Sequence, residues 1–344
     1  MPQHSNQRFV YLDILRIMAT FAVIFAHVSA IDFLSFSLST DWYVSLIGDS
    51  LVRWCVPVFV MISGALFLNP NRQVSYREVL TIRIPRLLIV YVFWSVMYVL
   101  YDFYRTDFEA FSLWHIVRRS LISQIHLWFL PMLMGVYLLI PILRKIAQNK
   151  KLMCYTLIIW IIYITGSFFQ FVEPLKIAKH FYPLFKTNII IGFAGYFLLG
   201  YYLFQHTFSK KQKTWIYLFG IVGALVTIFG TYYVSVSKGE PNERYFSNLS
   251  IQVMAMAVAL FVLIKELEPR FGKAVLKFNG FVRKDLFGIY LTHAFWPPVV
   301  NTPAFRHCCN EVITLPLIAL IIFTLSLFLT KLIRMIPILR KVVE

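Results

Sequence analysis

The chain has 344 residues, 59% of them hydrophobic, with a mean hydropathy of +0.70 and only 14% charged. Soluble domains carry about 25% charged residues, so this balance excludes an ordinary soluble enzyme and points to a polytopic membrane protein. A net charge of +17 would suggest a nucleic-acid partner in a soluble protein. Here no nucleic-acid motif is present, and the basic residues gather in short loops between apolar runs, where they read as topology determinants.

Apolar stretches of spanning length recur at 9–30, 44–68, 83–103, 122–143, 152–172, 184–205, 214–236, 248–265, 285–303 and 311–333. They predict an all-α bundle of about ten transmembrane helices, organised as a single domain over 1–344. Pro131 and Pro141 interrupt the fourth stretch, and the ninth is short and ends in Pro297-Pro298. The N-terminus resembles a secretion signal, with Val28-Ser29-Ala30 as a cleavage-like triplet. Asp13 interrupts its basic region, however, so it is read as an uncleaved first span. The loop 31–43 has no Lys or Arg, whereas the connections near 72–86, 144–151, 207–213 and 265–284 and the tail hold most of the 33 basic residues. That asymmetry predicts both termini on the cytoplasmic side.

The first span carries the chemistry. Asp13, Arg16 and His27 lie within the apolar run from Arg8 to Ala30. At about 100° per residue, Arg16 and His27 are three turns and about 20° apart, and the rise of about 1.5 Å per residue separates them by roughly 16 Å along the axis. Asp13 sits one turn before Arg16 on the same face. Ionisable groups are costly in hydrocarbon, so this ridge reads as a functional site facing the bundle interior or a wet cavity; a buried ion pair that only fixes helix packing is the rival reading.

Further along, Arg53 with Asp49 four residues earlier reads as a self-neutralising i,i+4 pair. Ser63-Gly64 reads either as a close helix approach or as room for a ligand. Arg83 and Arg86 open the third span three residues apart on one face, where guanidinium forks suit phosphates and also suit a membrane boundary. His126-Leu127-Trp128-Phe129-Leu130 opens the fourth span at its outer face. His293 falls near the middle of the ninth span, one turn after Tyr290. His180, His206 and His307 read as surface residues, and Cys55, Cys154, Cys308 and Cys309 show neither metal-site nor disulfide spacing. No phosphate-cradling glycine loop, zinc signature or serine-hydrolase elbow is present. Histidine as general base and arginine as anion holder are compatible with group transfer to an alcohol; a proton-coupled transporter would use the same ridge.

These residues resemble a known pattern. Asp13-x-x-Arg16 followed by ten residues and His27 is similar to the Arg-x10-His signature of the membrane acyltransferase-3 family. Arg53-x-x-x-Pro57 leading to Ser63-Gly64, Arg83-x-x-Arg86, the His126–Leu130 run, and Gly288-Ile289-Tyr290 with His293 follow in order. The closest likeness is to compact inner-membrane O-acetyltransferases of the enterobacterial common antigen type. The resemblance implies transfer of an acyl group, most often acetyl, from cytoplasmic acyl-CoA to a hydroxyl of a glycan or lipid-linked sugar. Acetyl-CoA is then a co-substrate, and no tightly bound cofactor or metal is expected. It also implies that Arg16 and His27 are the essential pair with Asp13 beside them, that Arg83 and Arg86 serve the donor phosphates with Ser63 and Gly64 near the donor, and that His126, Trp128, Tyr290 and His293 line the donor or acceptor cavity. Expected partners are membrane lipid, acyl-CoA and the glycan acceptor; homo-oligomers are compatible with it. A glycan transporter or flippase, and a sensor or scaffold without turnover, are the rival classes.

Overall fold

A computed structural model of the chain describes residues 9–72, 74–106, 118–119, 126–169, 189–302, 305 and 310–344. Among the described residues every regular element is helical. Six helices are long and apolar enough to cross a bilayer, or seven if the bent pair Phe129–Leu138 and Ile140–Gln148 counts as one span. The shorter apolar helices Ile190–Gln205 and Leu286–Phe295 fall below that length. His180, His307, Cys308 and Cys309 lie outside the described residues.

The bundle is built around α1 (Val10–Ser35). It packs against α2 (Thr40–Val52), α3 (Cys55–Phe67), α10 (Ile251–Leu267), α11 (Lys273–Val282), α12 (Leu286–Thr292) and α13 (Glu311–Met335). Between these in sequence come α4 (Ile84–Thr106), α5 (Phe129–Leu138), α6 (Ile140–Gln148), α7 (Lys150–Phe169), α8 (Ile189–Gln205) and α9 (Lys210–Lys238). Leu15, Ala19 and Val28 of α1 are fully buried, as a helix surrounded on several sides requires.

Proline decides where the neighbours of α1 break. The predicted second span begins earlier, at Thr40, and consists of α2 and α3 separated at Arg53-Trp54. Pro57 has no N–H to give the Arg53 carbonyl, so the turn opens there. Pro141 likewise leaves the Tyr137 carbonyl without its helical donor, and α5 and α6 meet at 57°. Pro85 follows a π-helical turn, Val79–Arg83.

The predicted ninth span is corrected most. It is not one helix: α12 stops at Thr292, a tight turn covers His293–Phe295, and a further short turn covers Pro297–Val300. Pro297 and Pro298 cannot donate to the carbonyls of His293 and Ala294, which ends α-helical bonding. His293 therefore lies at the end of a short helix rather than in the middle of a span.

Without a hydrophobic drive between helices in lipid, close backbone approach must supply the attraction. A Cβ on Gly64 would sit 1.7 Å from the Phe197 carbonyl oxygen, and one on Gly200 2.0 Å from that of Met61. α3 and α8 thus meet backbone to backbone, and of the two readings of Ser63-Gly64 the close approach holds for Gly64. Lys265 secures the end of α8 by donating to the carbonyls of Leu203, Phe204 and His206 at 2.8, 2.7 and 2.9 Å.

Candidate active site

The functional side chains fall into two groups at the two ends of α1. At its amino-terminal end Arg16 Nη1 lies 3.8 Å from Asp13 Oδ1, so the expected pairing on one face is present. Arg16 is joined there by residues from other elements. Tyr137 of α5 lies beside Ser63 and within electrostatic reach of Arg16, Arg72 and Arg83. Ser63 Oγ also reaches the Phe59 carbonyl at 3.0 Å. The Arg72 and Arg83 guanidiniums face the Phe67 ring at 4.7 and 5.7 Å from its centroid, and the Tyr137 ring is 4.9 Å from it. Arg144 of α6 donates to the Phe67 carbonyl at 2.6 Å, satisfying the last turn of α3.

Four guanidiniums converge here against two carboxylates, those of Asp13 and Glu78. Glu78 accepts from Arg83 Nε and Nη2 at 2.9 and 2.7 Å. The crowding shows at Arg72, in the loop after α3: burial and then the neighbouring Arg83 charge push its pKa down from the ordinary value. A surplus of planar, multiply donating cations in one place is the arrangement that receives phosphate.

Arg86 departs from this group. It is exposed and donates to the backbone carbonyl of Glu344. The segment Val342–Glu344 lies against α4: the Trp94 indole donates to the Val342 carbonyl at 2.8 Å and Val343 is fully buried. Arg83 and Arg86, expected on one face from their spacing, thus take separate partners, Glu78 and Glu344.

At the other end of α1 three imidazoles from three distant segments come together. His27 and His293 have ring centroids 5.3 Å apart, and His126 and His293 5.4 Å. Tyr290 donates its hydroxyl to the His126 carbonyl, and Tyr98 donates to the Leu291 carbonyl at 2.7 Å while its ring lies 4.4 Å from that of His126. His293 Nδ1 is 2.6 Å from the Tyr290 carbonyl. A carbonyl only accepts, so Nδ1 carries the proton and Nε2 presents its lone pair. That Nε2 and the Nε2 of His126 are buried with no protein partner among the described residues. Buried polar atoms are normally satisfied, and exceptions call for a reason such as a reactive role. No group of three or more His, Cys, Asp or Glu among the described residues is placed to hold a metal ion.

Beside the imidazoles Arg53 pairs with the fully buried Asp49, as the spacing predicts, and also approaches Glu243 at 3.8 Å. Its guanidinium lies 3.9 Å over the Phe246 ring and within electrostatic reach of His27. With Trp128, Arg53 lines a pocket of about 300 Å³ that opens to the surface.

Of the expected site residues, Asp13, Arg16, Ser63 and Arg83 are brought together at one end, and His27, His126, Tyr290 and His293 at the other. Trp128 borders the second group, Gly64 belongs to helix packing, and Arg86 stands apart. Arg72, Tyr137 and Arg144 at the first end and Tyr98 at the second were not singled out in the sequence. Arg72 and Arg144 were hidden among boundary arginines, and the tyrosines among many aromatic residues.

A family model described as an acyltransferase domain matches residues 9–335. Two relatives, from Staphylococcus aureus strains MSSA476 and MW2, are each named a probable poly-beta-1,6-N-acetyl-D-glucosamine export protein. Each is 22% identical over 263 residues, which is 75% of this chain and 71% of the relative. No solved structure is significantly similar to the chain.

Proposed function

The chain belongs to the acyltransferase-3 family, and from that premise we propose that it is a membrane O-acyltransferase. The donor is acyl-CoA, in the first place acetyl-CoA, met from the cytoplasm, and the acceptor is a hydroxyl of a glycan or lipid-linked sugar. The protein would sit in a bacterial inner membrane with about ten spans and both termini inside. The observation that carries this reading is the two-ended site on one helix: an arginine cluster around Phe67 at one end and the His27–His126–His293 group at the other.

The chemistry follows from that division. Arg83, with Arg16 and Arg72, holds the donor's phosphates, and the thioester arm extends along α1 toward the imidazoles. His27 takes the proton of the acceptor hydroxyl, and the oxygen attacks the thioester carbonyl. The new C–O bond forms as the C–S bond breaks; the thiolate recovers the proton from the imidazolium and leaves as free CoA. The fixed tautomer of His293 offers His27 an acceptor for its own N–H. Holding donor and acceptor in line supplies much of the rate through orientation. Purified protein in detergent, given radiolabelled acetyl-CoA, should hydrolyse it slowly or transfer the label to a saccharide, and His27→Ala should do neither.

The name of the Staphylococcus relatives, an export protein, favours a second reading, movement of a glycan intermediate across the membrane along the same charged residues. A transporter would leave acetyl-CoA untouched in that assay.

A further inference from the structure

The pocket beside the imidazoles has an unusual wall. Arg53, Trp128, Phe193, Glu243, Phe246, Ser247, Asn248 and Leu249 line it, and five of these eight come from the connection between α9 and α10. This connection is held at many points. Asn242 N–H donates to Ser235 Oγ at 3.0 Å, Gln252 Nε2 to the Tyr245 carbonyl at 3.2 Å, and the Tyr196 hydroxyl to the Asn248 carbonyl at 2.7 Å. Phe246 is buried 5.1 Å from Phe33, within the cluster of Phe33, Trp42 and Leu46. The wall is thus a built surface, and a preformed pocket spares a ligand the cost of ordering it.

Its charges narrow what it can hold. The lone cation, Arg53, is already shared between Asp49 and Glu243, and Arg244, next in sequence, is exposed and does not line the pocket. Two carboxylates therefore face one guanidinium, which repels an anion. Ser247 and Asn248 in the lining bring a hydroxyl and an amide beside Arg53 and Glu243, so donors and acceptors are both on offer. Trp128 adds an aromatic wall with Phe193 at 5.8 Å. Aromatic faces and a few convergent polar groups suit a ligand whose rings are apolar on their faces and hydroxylated at their edges. A pocket of about 300 Å³ is at the small end for ligands and takes a terminal ring rather than a wrapped chain.

We propose that this pocket is the acceptor subsite, that it takes the terminal ring of an uncharged saccharide with Asn248 among its polar contacts, and that Glu243 selects against anionic sugars. The assignment rests on the acyltransferase reading for its role and on the pocket alone for its ligand. Trp128 is two residues from His126, and Arg53 lies within electrostatic reach of His27, so the pocket lies on the imidazoles' side of the bundle.

The test uses the full chain in detergent, without donor. Binding of maltotetraose and N-acetylchitotetraose, both neutral, and of tetragalacturonate, an anion, is measured by saturation-transfer NMR and calorimetry. The neutral probes should bind and the anion should not. Glu243→Gln and Asn248→Ala should each weaken the neutral probes about tenfold, and Glu243→Gln should admit the anion. CoA binding to the same preparations reports that each variant is folded. Equal or tighter binding of the anion to the unaltered chain overturns the proposal, as does binding of the neutral probes that neither variant weakens. No saccharide binding in a preparation that still transfers acetyl to a simple alcohol overturns it too. Neutral binding that follows the predicted pattern, with acetyl-CoA left intact, upholds the subsite and removes the acyltransferase reading.

Discussion

The two ends of α1 solve opposite problems. Around Phe67 the polar groups are charged, numerous and mostly satisfied: Arg83 by Glu78, Arg144 by the Phe67 carbonyl, Arg16 by Asp13. Around His293 they are imidazoles, and two of the Nε2 atoms have no protein partner among the described residues. Guanidiniums in surplus over their carboxylates hold an anion without changing themselves, whereas an unsatisfied imidazole is poised to exchange a proton. On the proposed function the contrast separates a binding end from a reacting end, and mutations at the two ends should therefore fail differently.

The sharpest test of that division is the reacting end itself. His27→Ala should cost about a hundredfold to ten-thousandfold in turnover, the usual range for a general base, with expression and CoA binding preserved. Loss of CoA binding in that variant would collapse the two ends into one. Gly64→Leu probes the frame that holds both. With the Phe197 carbonyl 1.7 Å from where its Cβ must go, α3 and α8 have to separate. A loss of roughly 3 kcal/mol or more is expected, read as a fall in melting temperature in detergent, and both activities should go together. Arg83→Ala belongs to the binding end: the apparent KM for acetyl-CoA should rise about tenfold, as for loss of a charge-assisted hydrogen bond, while kcat changes little. A fall in kcat alone would place Arg83 with the reacting groups. The smallest effect is expected from Tyr98→Phe, which leaves the Leu291 carbonyl without its donor at 2.7 Å. About 1 kcal/mol of stability should be lost, with turnover lowered through a looser His126 and the donor KM untouched.

How much of this could be read in advance depended on distance along the chain. Asp13, Arg16 and His27 share one helix, so periodicity alone put them on one face, and the Arg53–Asp49 pair was legible for the same reason. The partnership of His27 with His126 and His293 was not, because no local rule ties α1 to segments 99 and 266 positions away. Arg72 and Arg144 carried no signal of their own: basic residues crowd every boundary of such a chain, and only folding shows which of them turn toward Phe67. Proline was the signal used least fully. Pro57, Pro141 and Pro297-Pro298 were all visible, but hydropathy read through them: the second span came out without its break at Arg53-Trp54, and the ninth came out longer than its helix is.

Those interruptions throw α1 into relief. Other helical segments of the bundle break at Arg53, Leu139 and His293, while α1 runs from Val10 to Ser35 without a gap. An unbroken helix is a calliper: its jaws cannot slide, so the gap between Arg16 and His27 is set by the helix itself. A carrier too short to bridge that gap would engage one jaw or the other. The enzyme would thus recognise its donor by reach, before any contact with the acyl group is made.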